Sequence, residues 1–145
     1  MSEISRSLFL AGGLPYLVLG LLHALKTPLT VEGVKGLSPR DPALRKAMAS
    51  ESLVLTRRTT LWLTWVGFNL SHSLGAVLLG AVVVLIGRSA ASFAAQAGVF
   101  LPLAVLVSGA YLAIGVRFWF RTPIIGIACS VVCFAASWVL FLLKG

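Results

Sequence analysis

The chain predicts an all-α, polytopic membrane protein: a four-helix transmembrane bundle with a short amphipathic helix in its first loop. Three observations carry this. Apolar stretches lie at about residues 8–25, 61–87, 93–116 and 123–143, each close to or beyond the roughly 20 residues that cross a bilayer. Hydrophobic residues make up 59% of the 145 and charged residues 11%, against about 25% charged in a soluble domain. All 12 Lys and Arg fall outside the four stretches, the distribution that sets membrane topology. A chain of this length has room for one domain.

The first span follows Ser5-Arg6-Ser7 and closes at Lys26-Thr27-Pro28. Its apolar run is too long for a signal-peptide core, and no small-x-small cleavage site follows, so it reads as a retained helix. Pro15 lies in its interior, where neighbouring helices can tolerate a kink. Residues 26–60 are polar. Pro28, Gly33, Gly36 and Pro39 make the first part a loop. Asp41-Pro42 then sets a helix start, with Asp as N-cap and Pro at N1. Leu44, Met48 and Leu55 share one face at helical spacing, away from Arg45, Lys46 and Ser50. This helix is expected at the membrane surface, or running straight into the second span. The connection 88–92 leads to the third span. Arg117 to Arg121, with three aromatics between, makes the next turn. Thr122-Pro123 is the expected N-cap and N1 of the fourth span.

Orientation follows from charge. Lys26, Lys35, Arg40, Arg45, Lys46, Arg57, Arg58, Arg117 and Arg121 fall on the side of the long loop, and only Arg6, Arg88 and Lys144 on the other. That asymmetry places the long loop in the cytoplasm and both termini outside, as in a bacterial inner membrane. The same topology signal accounts for the net charge of +8. Nucleic acid is not expected as a partner, because no basic helix carries interleaved stacking aromatics.

At 1.5 Å of rise per residue, depth can be counted from the expected cytoplasmic ends. Tyr16 then lies roughly 15 Å deep, Asn69 about 12, His72 about 16, Ser108 about 13, and Cys129 and Cys133 roughly 12 and 18. Each span thus places a polar or polarizable group near the midplane of a core about 30 Å thick. Polar groups at that depth are costly and mark functional sites. On the second span Trp62, Trp65, Asn69, His72, Ser73 and Ala76 form one stripe. Gly67, Ser71 and Gly75 form another on nearly the opposite face, at the spacing that lets a second backbone approach. Tyr16 and His23 on the first span, Ser108 and Tyr111 on the third, and Cys129, Cys133 and Ser137 on the fourth are expected to converge on the Asn69–His72 stripe.

A lipidic ligand would then meet Tyr16, Asn69, His72, Ser73, Ser108, Tyr111 and Cys133. Arg57, Arg58, Arg117 and Arg121 gather at the cytoplasmic face, where they satisfy the topology rule and can hold phosphate headgroups. No catalytic set is complete. Ser71 and Ser73 sit too near His72 along one helix to face it, and Glu3, Glu32, Asp41 and Glu51 all lie outside the spans. Bis-histidine haem is disfavoured by depth, since His23 would lie only about 5 Å deep, some 11 Å above His72. His72 with Cys129 and Cys133 lacks a fourth metal ligand. Cys129 and Cys133, four apart on a helix, are about 5–6 Å apart at Cβ, beyond the roughly 3.5–4.5 Å of a disulfide. No cofactor or metal is therefore expected. The functional expectation is a non-enzymatic membrane protein that binds a lipidic small molecule in a midplane polar pocket, or serves as a subunit of a membrane assembly or homo-oligomer. The alternative is a membrane enzyme or redox protein, with haem, quinone or metal, using His72 with Cys133.

The segments Thr59-Thr60-Leu61-Trp62 and Trp65-Val66-Gly67-Phe68-Asn69-Leu70-Ser71-His72-Ser73-Leu74-Gly75 resemble the signature of an uncharacterised family of small four-span bacterial membrane proteins. Leu22-His23-Ala24-Leu25, Asp41-Pro42 and Arg121-Thr122-Pro123 are similar to the same pattern, with Gly-Phe-Asn-x-Ser-His as its specific core. The resemblance implies a topology and a site location but no reaction. Sterol-isomerase-like and thiol-oxidoreductase membrane folds are of similar size. The first would need acidic residues within the spans and the second a Cys-x-x-Cys pair, and neither is present.

Overall fold

The computed structural model describes residues 3–144, and of Lys144 the backbone alone. The Lys144 side chain, counted above among the outside charges, lies outside the described set. Five helices follow in order: α1 (Glu3–Lys26), α2 (Pro42–Ser50), α3 (Leu61–Gly87), α4 (Ala90–Phe118) and α5 (Arg121–Lys144). Four of them, α1, α3, α4 and α5, are long and apolar enough to cross a membrane. The chain is an all-helical, multi-pass integral membrane protein.

Helix boundaries follow from where polar groups find partners. α1 starts ahead of its apolar stretch because Ser5 and Arg6 are satisfied by other helices. Ser5 Oγ donates to Ser137 O at 2.8 Å, and Ser137 Oγ donates back to Ser5 O at 2.7 Å. The Arg6 guanidinium donates to Gly87 O at 2.9 Å and pairs with Glu3, a cation placed on the negative end of α3. α4 starts at Ala90 because Ser89 caps it, accepting from Ser92 N at 3.1 Å. The expected connection 88–92 therefore shrinks to Arg88-Ser89. α5 begins at Arg121 rather than at Pro123, so Thr122 lies inside the first turn instead of capping it.

The α2 start is as the sequence predicts. Asp41 Oδ1 accepts from Ala43 N at 2.8 Å and Pro42 opens the helix. Its end is not. α2 stops at Ser50, so it does not run into the second span, and Leu55 lies beyond it at 92% exposure. The segment after α2 is instead a closed loop, tied by a Ser52–Thr60 bridge and by Leu61 N donating to Glu51 O at 2.9 Å.

The chain forms two units, Met1–Leu19 with Ala76–Gly145, and Gly20–Gly75; α1 and α3 contribute to both. In the first unit, segments of all four spans pack around Phe9, Phe93, Leu101 and Phe134, each 1% exposed or less. The Phe9 ring lies 5.4 Å from Phe93 and 5.7 Å from Phe134. Buried serines share this interior: Ser5, Ser108, Ser130 and Ser137. Large aliphatic residues such as Leu14, Leu106, Val132 and Leu142 face outward. Lipid is as apolar as leucine, so the interior is chosen by close packing and hydrogen bonding rather than by hydrophobicity.

At Gly13 and Gly80 the backbones of α1 and α3 come close together. A Cβ on Gly80 would lie 2.9 Å from Gly13 O and 2.6 Å from the Leu17 side chain. The sequence places the small-residue contact elsewhere, on Gly67, Ser71 and Gly75. All three are exposed, and a Cβ on Gly67 would meet nothing within 4 Å. The buried line of α3 is Trp62, Val66, Ser73, Ala76, Gly80, Val83 and Gly87. Alternate steps of three and four residues along it are the seam spacing of left-handed helix packing. That line continues the Asn69 stripe, so polar groups and close packing share one face of α3.

Candidate functional site

In the second unit, α1 and α3 bring together His23, Asn69 and His72. His23 Nε2 lies 2.8 Å from Asn69 Oδ1. The His23 and His72 rings meet edge-on, with centroids 5.1 Å apart. Asn69 Nδ2 donates to Trp65 O at 2.7 Å, one turn back on its own helix, and Ser73 Oγ donates to Asn69 O at 2.9 Å. His23, Asn69 and His72 are half-buried, and Ser73 is buried. Trp62 Nε1, two turns before Asn69 on the same face, is buried with no acceptor.

This cluster corrects two expectations. The partner of Asn69 is His23, where Tyr16, Ser108 or a fourth-span thiol was expected. The depth offset of some 11 Å between His23 and His72 is absent. Counting from helix ends assumed that Lys26 and Leu61 are level. They are staggered, because the chain does not leave the packed interior at Lys26: Thr27 and Pro28 are fully buried, and Thr27 Oγ1 donates to His23 O at 2.8 Å. Depth therefore no longer argues against a haem. Ring packing does, because the two imidazoles already meet edge-on with centroids 5.1 Å apart, which leaves no room for a porphyrin between them. Among the described residues no three of the His, Cys, Asp and Glu side chains gather closely enough to hold a metal ion.

In the first unit, Tyr16, Ser108 and Tyr111 come together, where the sequence expectation was convergence on the Asn69–His72 stripe, which belongs to the second unit. The Tyr16 and Tyr111 rings meet edge-on at 5.8 Å, and Tyr111 lies edge-on to Trp119 at 6.2 Å. Tyr16 is 2% exposed and Ser108 0%. Ser108 is the polar neighbour of the Tyr16 hydroxyl, yet neither oxygen reaches a partner in hydrogen-bonding geometry. Buried unmatched hydroxyls lose their hydration without return. Ser108→Ala should therefore leave stability unchanged or raise it by about 1 kcal/mol, read from detergent unfolding of the purified protein. A loss of that size would mean that the hydroxyl is satisfied, for instance by an internal water.

The fourth span departs from expectation. Its buried line is Ile127, Ser130, Phe134 and Ser137, while Cys129 is exposed and Cys133 half-buried. The cysteine stripe is offset from the packing face because 129 and 133 fall beside the 127–130–134–137 line. Arg57 and Arg58 are exposed on the closed loop after α2, and Arg117 and Arg121 are exposed around the α4–α5 connection. The Arg117 guanidinium lies 5.9 Å from the Phe118 ring centre.

His23 is the site residue that counting from the helix end placed only about 5 Å deep. The available signal was its place on the Tyr16–Gly20–His23 face. Compared with protein-family models, curated proteins and solved structures, the chain matches none.

Proposed function

We propose that this is a bacterial inner-membrane protein that binds a lipidic small molecule, with His23, Asn69 and His72 receiving its polar head. One observation carries the reading: two spans bring two imidazoles and an amide together and leave them half-buried rather than sealed. A polar group facing hydrocarbon costs several kcal/mol, so half-buried polar side chains on apolar helices call for a polar neighbour. The chemistry around them is apolar: Leu22 and Phe68, the chain neighbours of His23 and Asn69, are exposed. An amphiphile matches both, its head on the imidazoles and its tail along the helices. The unmatched Trp62 N–H supports an occupant in the same unit.

The test is mass spectrometry of lipid extracted from protein purified in native-membrane discs. A stoichiometric amphiphile should accompany the natural protein and be lost from folded His23→Leu and Asn69→Leu variants. The same lipid profile in all three would overturn the reading.

A second reading, a subunit of a membrane assembly, is favoured by the exposed Gly67, Ser71 and Gly75, whose spacing suits another helix. For orientation we propose both termini outside the cytoplasm, supported by the nine-to-three division of basic residues and the positive-inside rule. A reporter fused after Gly145, which lies outside the described residues, should be active only in its periplasmic form. Activity of a cytoplasmic reporter there would overturn the orientation.

A further inference from the structure

We infer that the His23–Asn69 site selects an amphiphile whose head donates a hydrogen bond, a hydroxyl rather than an ether or ketone. This rests on the lipid-binding reading and specifies its ligand. The argument starts at Asn69. Its Nδ2 lies 2.7 Å from Trp65 O, and only the amide nitrogen can donate to a carbonyl. That contact fixes which way the amide points. The atom 2.8 Å from His23 Nε2 is therefore Oδ1, an acceptor.

An acceptor opposite Nε2 requires Nε2 to carry the proton. With the ring neutral, donation from Nε2 leaves the lone pair on the other nitrogen, and Nδ1 of His23 is then an acceptor. Among the described residues the hydrogen bond of the His23 ring is made at Nε2, and the residue is half-buried rather than sealed. Asn69 cannot reverse the arrangement, because its nitrogen is turned back on its own helix. The protein thus sets one tautomer of His23 through a partner one helix away, and that tautomer presents a lone pair to the occupant. A hydroxyl head completes the bond. An ether of the same chain length leaves two acceptors facing each other.

The experiment compares oleyl alcohol with oleyl methyl ether, titrated into the full-length protein in lipid discs. One neutral hydrogen bond is worth about 0.5–1.5 kcal/mol net, so the alcohol should bind up to about tenfold more tightly. The preference should vanish in His23→Phe while ether binding is retained. A ¹⁵N spectrum of the histidine-labelled protein gives a second readout that needs no substitution. One ring should show a protonated Nε2 and a bare Nδ1, and the Nδ1 signal should move on adding the alcohol and not the ether. Equal binding of alcohol and ether overturns the inference and leaves the lipid-binding reading standing. A protonated Nδ1 on His23 overturns it as well. Failure of both amphiphiles and of the native lipid to bind would overturn the reading beneath it.

Discussion

Gly80→Ala should destabilise the protein, and Gly80→Leu should prevent the first unit from assembling. The added Cβ would lie 2.9 Å from Gly13 O and 2.6 Å from the Leu17 side chain. A flexible side chain can move, but a backbone carbonyl inside a packed helix cannot move without its helix. Overpacking of this kind costs roughly 1–3 kcal/mol for a small group and more for a large one. The control is on the same class of residue. A Cβ on Gly67, Gly98 or Gly109 would meet nothing within 4 Å. Alanine there removes only glycine's helix penalty of about 1 kcal/mol, so those variants should be neutral or slightly stabilised. Unfolding by denaturing detergent, followed by helicity, measures all of them. If Gly80→Ala behaves like Gly98→Ala, the Gly13–Gly80 contact does not organise the bundle.

The same contact shows what the sequence could and could not disclose. The four spans were legible because apolar length has one meaning in a bilayer, and the α2 start was legible because Asp41-Pro42 is a local capping signal. Which face of each span turns inward was less legible. Nearly every position in α3 is apolar, so hydrophobic periodicity has little contrast to offer. Small residues mark the seam, but α3 carries two small-residue lines, Gly67–Ser71–Gly75 and Ala76–Gly80–Gly87. Choosing between them needs the partner helix, which supplies Gly13 at the right level. The site shows the same limit. Tyr16, Ser108 and Tyr111 meet one another in the first unit, while His23 meets the Asn69–His72 stripe in the second. His23 was misplaced because α1 ends at buried Thr27 and Pro28. A residue's depth is known only as well as the level of the helix end from which it is counted.

Phe134→Ala and Gly12→Ala should each destabilise the first unit, and combining the glycine change with a smaller residue at 134 should cost less than the sum. Phe134 is fully buried, with its ring against Phe9. In water, truncating it would forfeit both transfer energy and packing. In a bilayer the unfolded reference is also apolar, so the transfer contribution falls away and the cavity remains. A cavity of roughly 100 Å³ at about 24 cal/mol per Å³ gives about 2 kcal/mol. Gly12 presses on the same ring from α1, since a Cβ there would lie 2.6 and 2.7 Å from two Phe134 ring carbons. Gly12→Ala alone should therefore cost about 1–3 kcal/mol by overpacking. With Phe134→Leu the new methyl enters space that the ring has left, so the pair should couple favourably by about 1 kcal/mol. The sign matters more than the size. Contacting residues that fill one volume must be non-additive, whereas residues that merely weaken the same bundle add. A strictly additive double mutant would show that Gly12 and Phe134 do not meet. The α1–α5 packing would then rest on the Phe9–Phe134 ring contact, the Ser5–Ser137 hydrogen bonds and the contact of Gly126 with Leu19.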